Sequence, residues 1–537
     1  MKARLLSRVL LVATAVALAL SLSGASREAT ATDWCAGGVC QEWVDFYDSP
    51  EEANPLENHD KARALAVDGA GNVYVTGYTS WVGGYYPQKT LKLDALGVKQ
   101  SWTPPTGARA DDVDAAADIA VDASGNVYVT GLGYNQLPMP PYTFYFHWVT
   151  GKGNASGATE WSEIYAPNVD TLSAPAALAV DGAGNVYVTG YSFGVASYDY
   201  TTVKYNASGV QQWASRYNGP GNSGDYAAAL AVDGSGNAYV TGYSTGSDTG
   251  YDYATVKYNA SGVEQWAIRY GGSGDDRAQD LAVDGAGNVY VTGYRFFSVP
   301  KMDDYVTIKY NASGIPQWTT PYHASMTDRP SSLALDQSGN VYVTGYTFQS
   351  GEGNNYTTVK YNSGGTQQWA ATYNGPVNGD DQAQEVAVDS SGNVYVTGYS
   401  HGGPAYDYAT VKYNASGVQQ WEARYDDPAF SDDRAQDLAV DGAGNVYVTG
   451  FARGSRGNYD YATVKYSQAP APTPNPAVGG IAELPVLPGA SAGEAGARRD
   501  GSGWSAGGYA ALAGGLAAVA LFIAGGGWYA RRRWRAG

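Results

Sequence analysis

The heptapeptide GNVYVTG begins at Gly71, Gly125, Gly184, Gly287, Gly339, Gly392 and Gly444, and a near copy, GNAYVTG, begins at Gly236. Four of these lie inside one identical dodecapeptide, AVDGAGNVYVTG, at 66–77, 179–190, 282–293 and 439–450. Successive copies start 51 to 59 residues apart. A unit of that size cannot bury its own apolar faces, so each must stack on its neighbours.

One unit, residues 277–322, reads RAQDLAVD, GAG, NVYVTGYRFFSVPKMDDYVTIKY, NASG, IPQWTTPY. It predicts four strands: A (AQDLAVD), B (NVYVTGY), C (DYVTIKY) and D (PQWTTPY). Gly, Asn, Asp and Ser separate them, as hairpin turns require. Val, Thr and Tyr in B and C suit a pleated surface packed on both faces. Four antiparallel strands, repeated eight times, predict an all-β fold, an eight-bladed β-propeller. A long β-solenoid is the competing arrangement.

The ends of the array decide between them. The D-strand tryptophan occurs at Trp43, Trp102, Trp161, Trp213, Trp266, Trp318, Trp369 and Trp421. Its first copy, QEWVDFY at 41–47, precedes any A strand, and the last unit stops after its C strand, YATVKYS at 461–467. The chain therefore starts one strand out of phase. The N-terminal strand would complete the final blade and close a ring over residues 41–467, leaving no open edge.

The flanks point to export and anchoring. Residues 1–31 combine Lys2, Arg4 and Arg8 with an apolar run and small-residue cleavage sites, the pattern of a signal peptide. Residues 509–530 are uncharged and long enough to span hydrocarbon as a helix. The basic tail 531–537, with Arg531, Arg532, Arg533 and Arg535, places the C-terminus in the cytoplasm. A Pro/Gly/Ala-rich stalk, 468–508, joins ring to membrane helix. The expectation is a single-pass cell-surface protein with its N-terminus outside. In the short segment 32–40, CAGGVC holds the only cysteines, Cys35 and Cys40, which an oxidising exterior would join as a disulfide.

Between signal peptide and membrane helix, residues 32–508 hold 50 of the 51 acidic residues but only 25 of the 33 basic ones. Such a surface excludes nucleic acid and anionic lipid as ligands.

GNVYVTGY with its leading AVD, followed by DYATVKY, a Gly and a Trp, resembles the SBBP family of bacterial β-propeller repeats across about 430 residues. The resemblance implies an exported or surface propeller and no single activity. The spacing of Gly209 and Trp213 in YNASGVQQW is also similar to the tryptophan-docking motif of quinoprotein propellers. That family's calcium-bound quinone site has no counterpart here, and no cofactor or metal is expected.

Recurrent polar residues read first as turn chemistry. The AB-turn aspartate, as in Asp284, offers one carboxylate where a calcium loop needs several oxygen ligands. Asn-Ala-Ser, at Asn154, Asn206, Asn259, Asn311 and Asn414, matches a glycosylation acceptor but always falls in the CD turn. A second aspartate recurs eight residues earlier, at Asp60, Asp114, Asp225, Asp276, Asp328, Asp381 and Asp433, with Ser173 in the third unit. It reads either as a turn cap or as an acidic channel mouth able to hold a cation or basic ligand.

Catalysis finds little support. None of the four histidines, His59, His147, His323 and His401, recurs in register with a Ser or Asp partner. A glycosidase or lyase needing only a pair of acidic groups remains the alternative, and a purely structural envelope component is another. What varies between units is the BC loop, and loops on a rigid scaffold carry recognition. The expected ligand is a glycan or protein, held by BC-loop aromatics Trp81, Tyr85, Tyr86, Phe296 and Phe297 beside the DA loops. Tyr134 and Phe348 lie on the same face.

Overall fold

The computed structural model describes residues 30–36, 38–48, 60–79, 88–102, 115–136, 144–166, 173–247, 249–298, 301–427, 432–454 and 457–468. The expected signal peptide up to residue 29, the stalk from 469 onward, the membrane helix and the basic tail lie outside these. Among the described residues, no helix is long and apolar enough to cross a membrane.

Eight antiparallel sheets form, one per repeat. In blade four the strands Asp225–Val232, Ala238–Thr245, Tyr251–Tyr258 and Glu264–Tyr270 pair in the order A-B-C-D. Strand B is sealed by strands on both sides and by blades on both faces, so Tyr239 and Val240 lose all exposure. The threonines that alternate with these residues pair across the sheet, Thr241 with Thr255 at 2.9 Å. Strand A carries a register shift at one repeated position, between Ala227 and Ala229 here and between Ala278 and Asp280 in blade five. Such bulges bend and twist a strand.

The cores belong to the seams between blades. Tyr187 and Tyr200 of blade three pack with Leu230, Val240 and Val256 of blade four. Blade one, built on Lys61–Val67, Val73–Tyr78 and Gln88–Leu93, packs in the same way on blade eight, so the ring closes. Leu65 donates its amide across that seam to Asp437 at 2.8 Å.

Closure follows the phase shift in the sequence. Val39–Tyr47 pairs with Tyr459–Gln468 as the fourth strand of blade eight. Among the described residues blade one pairs three strands, with a bridge from Leu93 to Lys99; its expected D strand beyond Trp102 lies outside them. One detail differs from expectation. Blade eight gains a fifth strand, Thr30–Ala36, because the CAGGVC segment reverses the chain; Cys35 and Cys40 face each other there and are disulfide-bonded.

The turn face, formed by AB and CD turns, locks each blade to the next. The Trp213 indole lies beneath Gly262 of the following blade and donates to Ala260 O at 3.0 Å. Lys204 donates to the same carbonyl at 3.2 Å, with its ammonium 4.8 Å from the Tyr187 ring. Gly262 has φ +79°, and a Cβ there would stand 2.6 Å from the indole. Glycine is required twice over, for backbone conformation and for space.

Blade eight has no CD turn to offer blade seven. The Gln468 side chain replaces the missing carbonyl, accepting from Trp421 at 3.0 Å and Lys412 at 2.7 Å.

Candidate functional site

The polar groups of the turn face are spent internally. Asp233 Oδ1 accepts the amides of Ser235 and Asn237, and its Oδ2 accepts from Asn237 Nδ2 and Tyr239 OH, at 2.7 to 3.0 Å. Burial alone would raise this carboxyl; those hydrogen bonds outweigh it and hold it below its usual value. Asn206 Oδ1 accepts the amides of Ser208 and Val210, both at 3.0 Å, as an Asx turn does. The carboxylate and amide oxygens of these loops are thus committed to their own turns.

The opposite, loop face is built from BC and DA connections. Of the aspartates expected there as an acidic mouth, Asp60, Asp225, Asp276, Asp328, Asp381 and Asp433 are fully buried; Asp114 lies outside the described residues. Asp225, Asp276, Asp328, Asp381 and Asp433 each accept an amide of their own DA loop, as the turn-cap reading expects, and at zero exposure they line no open rim. Asp276 accepts the amides of Gly272 at 2.6 Å and Phe296 at 2.8 Å, tying its loop to strand B. Asp381 does the same with Gly375 and His401, and Asp433 with Asp427 and Arg453. Burial is the main cause that raises these carboxyls, Asp276 to about 6 and Asp433 to about 8, with Asp427 and Asp426 adding to the latter.

Of the expected aromatic contacts, Trp81, Tyr85 and Tyr86 lie outside the described residues, as does the Tyr134 side chain. Phe296 and Phe297 are half-buried, and so is Phe348. Phe296 packs at Gly274, and Phe297 sits under the Arg295 guanidinium at 4.9 Å.

The structure assembles a larger aromatic surface on blades three and four. Tyr191, Phe193 and Tyr198 of blade three meet Tyr226, Tyr243 and Tyr251 of blade four in one run, with centroids 5.0 to 6.2 Å apart. All six are half-buried, so each keeps part of its ring open. Arg277 of blade five closes one end, 4.7 and 4.8 Å from the rings of Tyr243 and Tyr251. The signal was present in the sequence. VTGY ends each B strand but the second and eighth, and YDY opens the C strand at Tyr198, Tyr251, Tyr406 and Tyr459. Both tyrosines read as strand residues, and nothing in the spacing alone said that they meet across a hairpin.

The SBBP β-propeller repeat family matches residues 56–80, 212–248, 265–294, 323–347 and 371–404. No curated protein sequence matches the chain. Among solved structures, a protein of unknown function from Dyadobacter fermentans DSM 18053 is similar at 11% identity, covering 80% of this chain and 100% of that one, with a TM-score of 0.38. The β-propeller domain of the Trilobed protease from Pyrococcus furiosus shares 7% identity over 66% and 94%, with a TM-score of 0.39. The polysaccharide lyase Uly1 shares 13% over 69% and 92%, with a TM-score of 0.40. At such scores these likenesses carry no argument about function. The five matches do identify the repeat: the chain carries SBBP-type β-propeller repeats.

Proposed function

We propose that the protein is a non-catalytic propeller, displayed at the cell surface by its signal peptide and C-terminal helix, which binds a glycan or protein through its loop face. The observation that carries this reading is the aromatic run Tyr191–Phe193–Tyr198–Tyr226–Tyr243–Tyr251, half-open on the face whose loops differ from blade to blade. Aromatic rings offer flat apolar area at little entropic cost, and the phenols add hydrogen bonds at the rim. That combination suits sugar rings above all. The acidic net charge of residues 32–508 adds a preference for neutral or basic ligands.

The test is binding of the full chain in detergent to arrayed neutral glycans and to envelope proteins, beside a Tyr198→Ala/Tyr251→Ala variant of unchanged circular dichroism. Saturable binding lost in the variant is the expected result. Saturable binding that the variant retains would move the site off this face, and no saturable ligand at all would leave a structural role.

A further inference from the structure

One charged seam recurs on the loop face and is solved differently in different blades. In blades three, four and seven, the C-strand aspartate pairs with an arginine on strand D: Asp199 with Arg216, Asp252 with Arg269 and Asp407 with Arg424, at 3.3, 2.7 and 2.6 Å. In blade six both positions are neutral, Asn355 and Thr372. Charge and countercharge therefore come and go together.

Blade five departs from that rule. Asp304 stays, yet the arginine position holds Pro321. Two residues on, where blades three, four and six have Asn218, Gly271 and Asn374, this blade has His323. Its Nδ1 lies 2.8 Å from Asp304 Oδ1 and 3.8 Å from Asp328 Oδ2. The ligand atoms of the three residues all lie within 4.8 Å of one another.

The surrounding cations are engaged elsewhere. Arg329 reaches Asp303 at 2.6 Å. Arg295, which faces Asp304 across the sheet, lies over Phe297 and Tyr270 at 4.9 and 5.7 Å. Two carboxylates thus sit together, Asp304 at 7% and Asp328 at 0% exposure, without the guanidinium that other blades supply.

We propose that Asp304, His323 and Asp328 bind a divalent transition-metal ion of the zinc type between blades five and six. The donor set is one imidazole nitrogen and two carboxylates, which selects zinc-like ions over calcium or magnesium. The two separations from His323 Nδ1 bracket the ~3.3 Å edge of a tetrahedron with bonds of about 2.0–2.1 Å. Asp328 is held in place by the amides of Ala324 and Ser325 at Oδ2, 2.7 and 3.0 Å, and by Ser325 Oγ at Oδ1, 2.9 Å, hydrogen bonds that fix the orientation of the carboxylate. His323 is half-exposed, which leaves an entry path and an open coordination position. The metal replaces the missing arginine and ties the DA loop at 323–328 to strand C.

The same substitution occurs once more. In blade eight the arginine position is Phe46, the aspartate is Asp460, and Asp48 stands where His323 does, close to Asp60. That set is all oxygen and lacks the imidazole, so it serves here as a control.

The experiment is calorimetric titration of chelator-treated full chain in detergent with Zn²⁺, using wild type, His323→Ala and Pro321→Arg. The second variant restores the arginine of blades three, four and seven. Wild type is expected to bind one Zn²⁺ at this site, weakened at least about tenfold in each variant, since even outer partners of metal ligands cost that much. An all-oxygen site at Asp48, Asp60 and Asp460 would persist in both. Absence of Zn²⁺ binding by wild type, or an isotherm unchanged in either variant, overturns the proposal.

Discussion

On the turn face, Trp161, Trp213, Trp266, Trp318 and Trp369 all do the same thing, each donating to a backbone carbonyl of the next blade's CD turn beneath a glycine of that turn. On the loop face the equivalent seam is filled in several ways. Tyr226 packs on Tyr191 and Tyr198, Arg277 on Tyr243 and Tyr251, Arg434 on Tyr399 and Tyr406, and Lys61 on Phe451 and Tyr459. In blade seven the equivalent position is Gln382, which turns inward and accepts from Tyr399 OH of its own blade at 2.6 Å. An indole under a glycine admits one partner geometry. A pair of phenol rings accepts any flat or cationic group, so this seam can change without opening the ring. The face that tolerates change is also the one with rings left over for a ligand.

The contrast is broken most severely at a turn-face glycine. Gly262→Ala puts a methyl group 2.6 Å from the Trp213 indole and forces alanine to φ +79°. The backbone term and the overpacking term together should cost about 2–4 kcal/mol. Chemical denaturation would read this directly, and a loss below about 1 kcal/mol would mean that the seam yields more than its geometry suggests.

A smaller loss is expected where the interlock is improvised. Gln468→Ala removes the oxygen that Trp421 and Lys412 share. Two donors then lose their partner, only part-buried, so the cost should be about 1–2 kcal/mol. Gln468→Glu keeps the acceptor and should recover most of it.

The faces should also answer pH in opposite senses. Hydrogen bonds hold Asp233 and its turn-face counterparts Asp122, Asp336 and Asp389 below the usual carboxyl value. Their contribution is present above about pH 4, the unfolded value, and is lost as acid protonates them in the folded state. Asp276 and Asp433 on the loop face are raised, to about 6 and about 8. The folded state binds their protons more tightly, so their contribution is full below about pH 4 and disappears as pH rises through those values. Melting temperature should therefore fall by about 2–4 °C between pH 6 and pH 8.5. Asp433→Asn should remove most of that slope; an unchanged slope would assign it to other groups.

The architecture was legible because strand order, turn residues and phase shift are all local or periodic signals. The tryptophan spacing and the out-of-phase QEWVDFY anticipate the closure formed by Val39–Tyr47. The site was less legible because its members are paired by register, which depends on loop length. Tyr243 and Tyr251 are eight positions apart and become neighbours only when the BC hairpin folds back. The aspartates, readable as turn caps or as an acidic mouth, depend on loop path in the same way. Asp276 looks like a rim residue until the DA loop curls over it and delivers the Gly272 amide. The extra strand Thr30–Ala36 fell within and beside residues read as signal peptide, where no repeat pattern marks it.

The mildest test concerns the loop-face seam itself. Arg277 is part-exposed, and besides its two tyrosines it reaches Asp275 at 3.3 Å. Arg277→Gln abolishes the cation over both rings while keeping a polar side chain, as Gln382 does naturally in blade seven. Part-exposed cation–π contacts contribute about 0.5–1 kcal/mol, and the exposed ion pair adds little. Denaturation should thus register a loss of no more than about 1 kcal/mol, well short of the turn-face glycine. With the guanidinium gone, Tyr243 and Tyr251 present more open ring, so a glycan bound along this run should bind at least as well to the variant. A loss rivalling that of Gly262→Ala would make both seams equally rigid and remove the physical reason for placing recognition on the loop face.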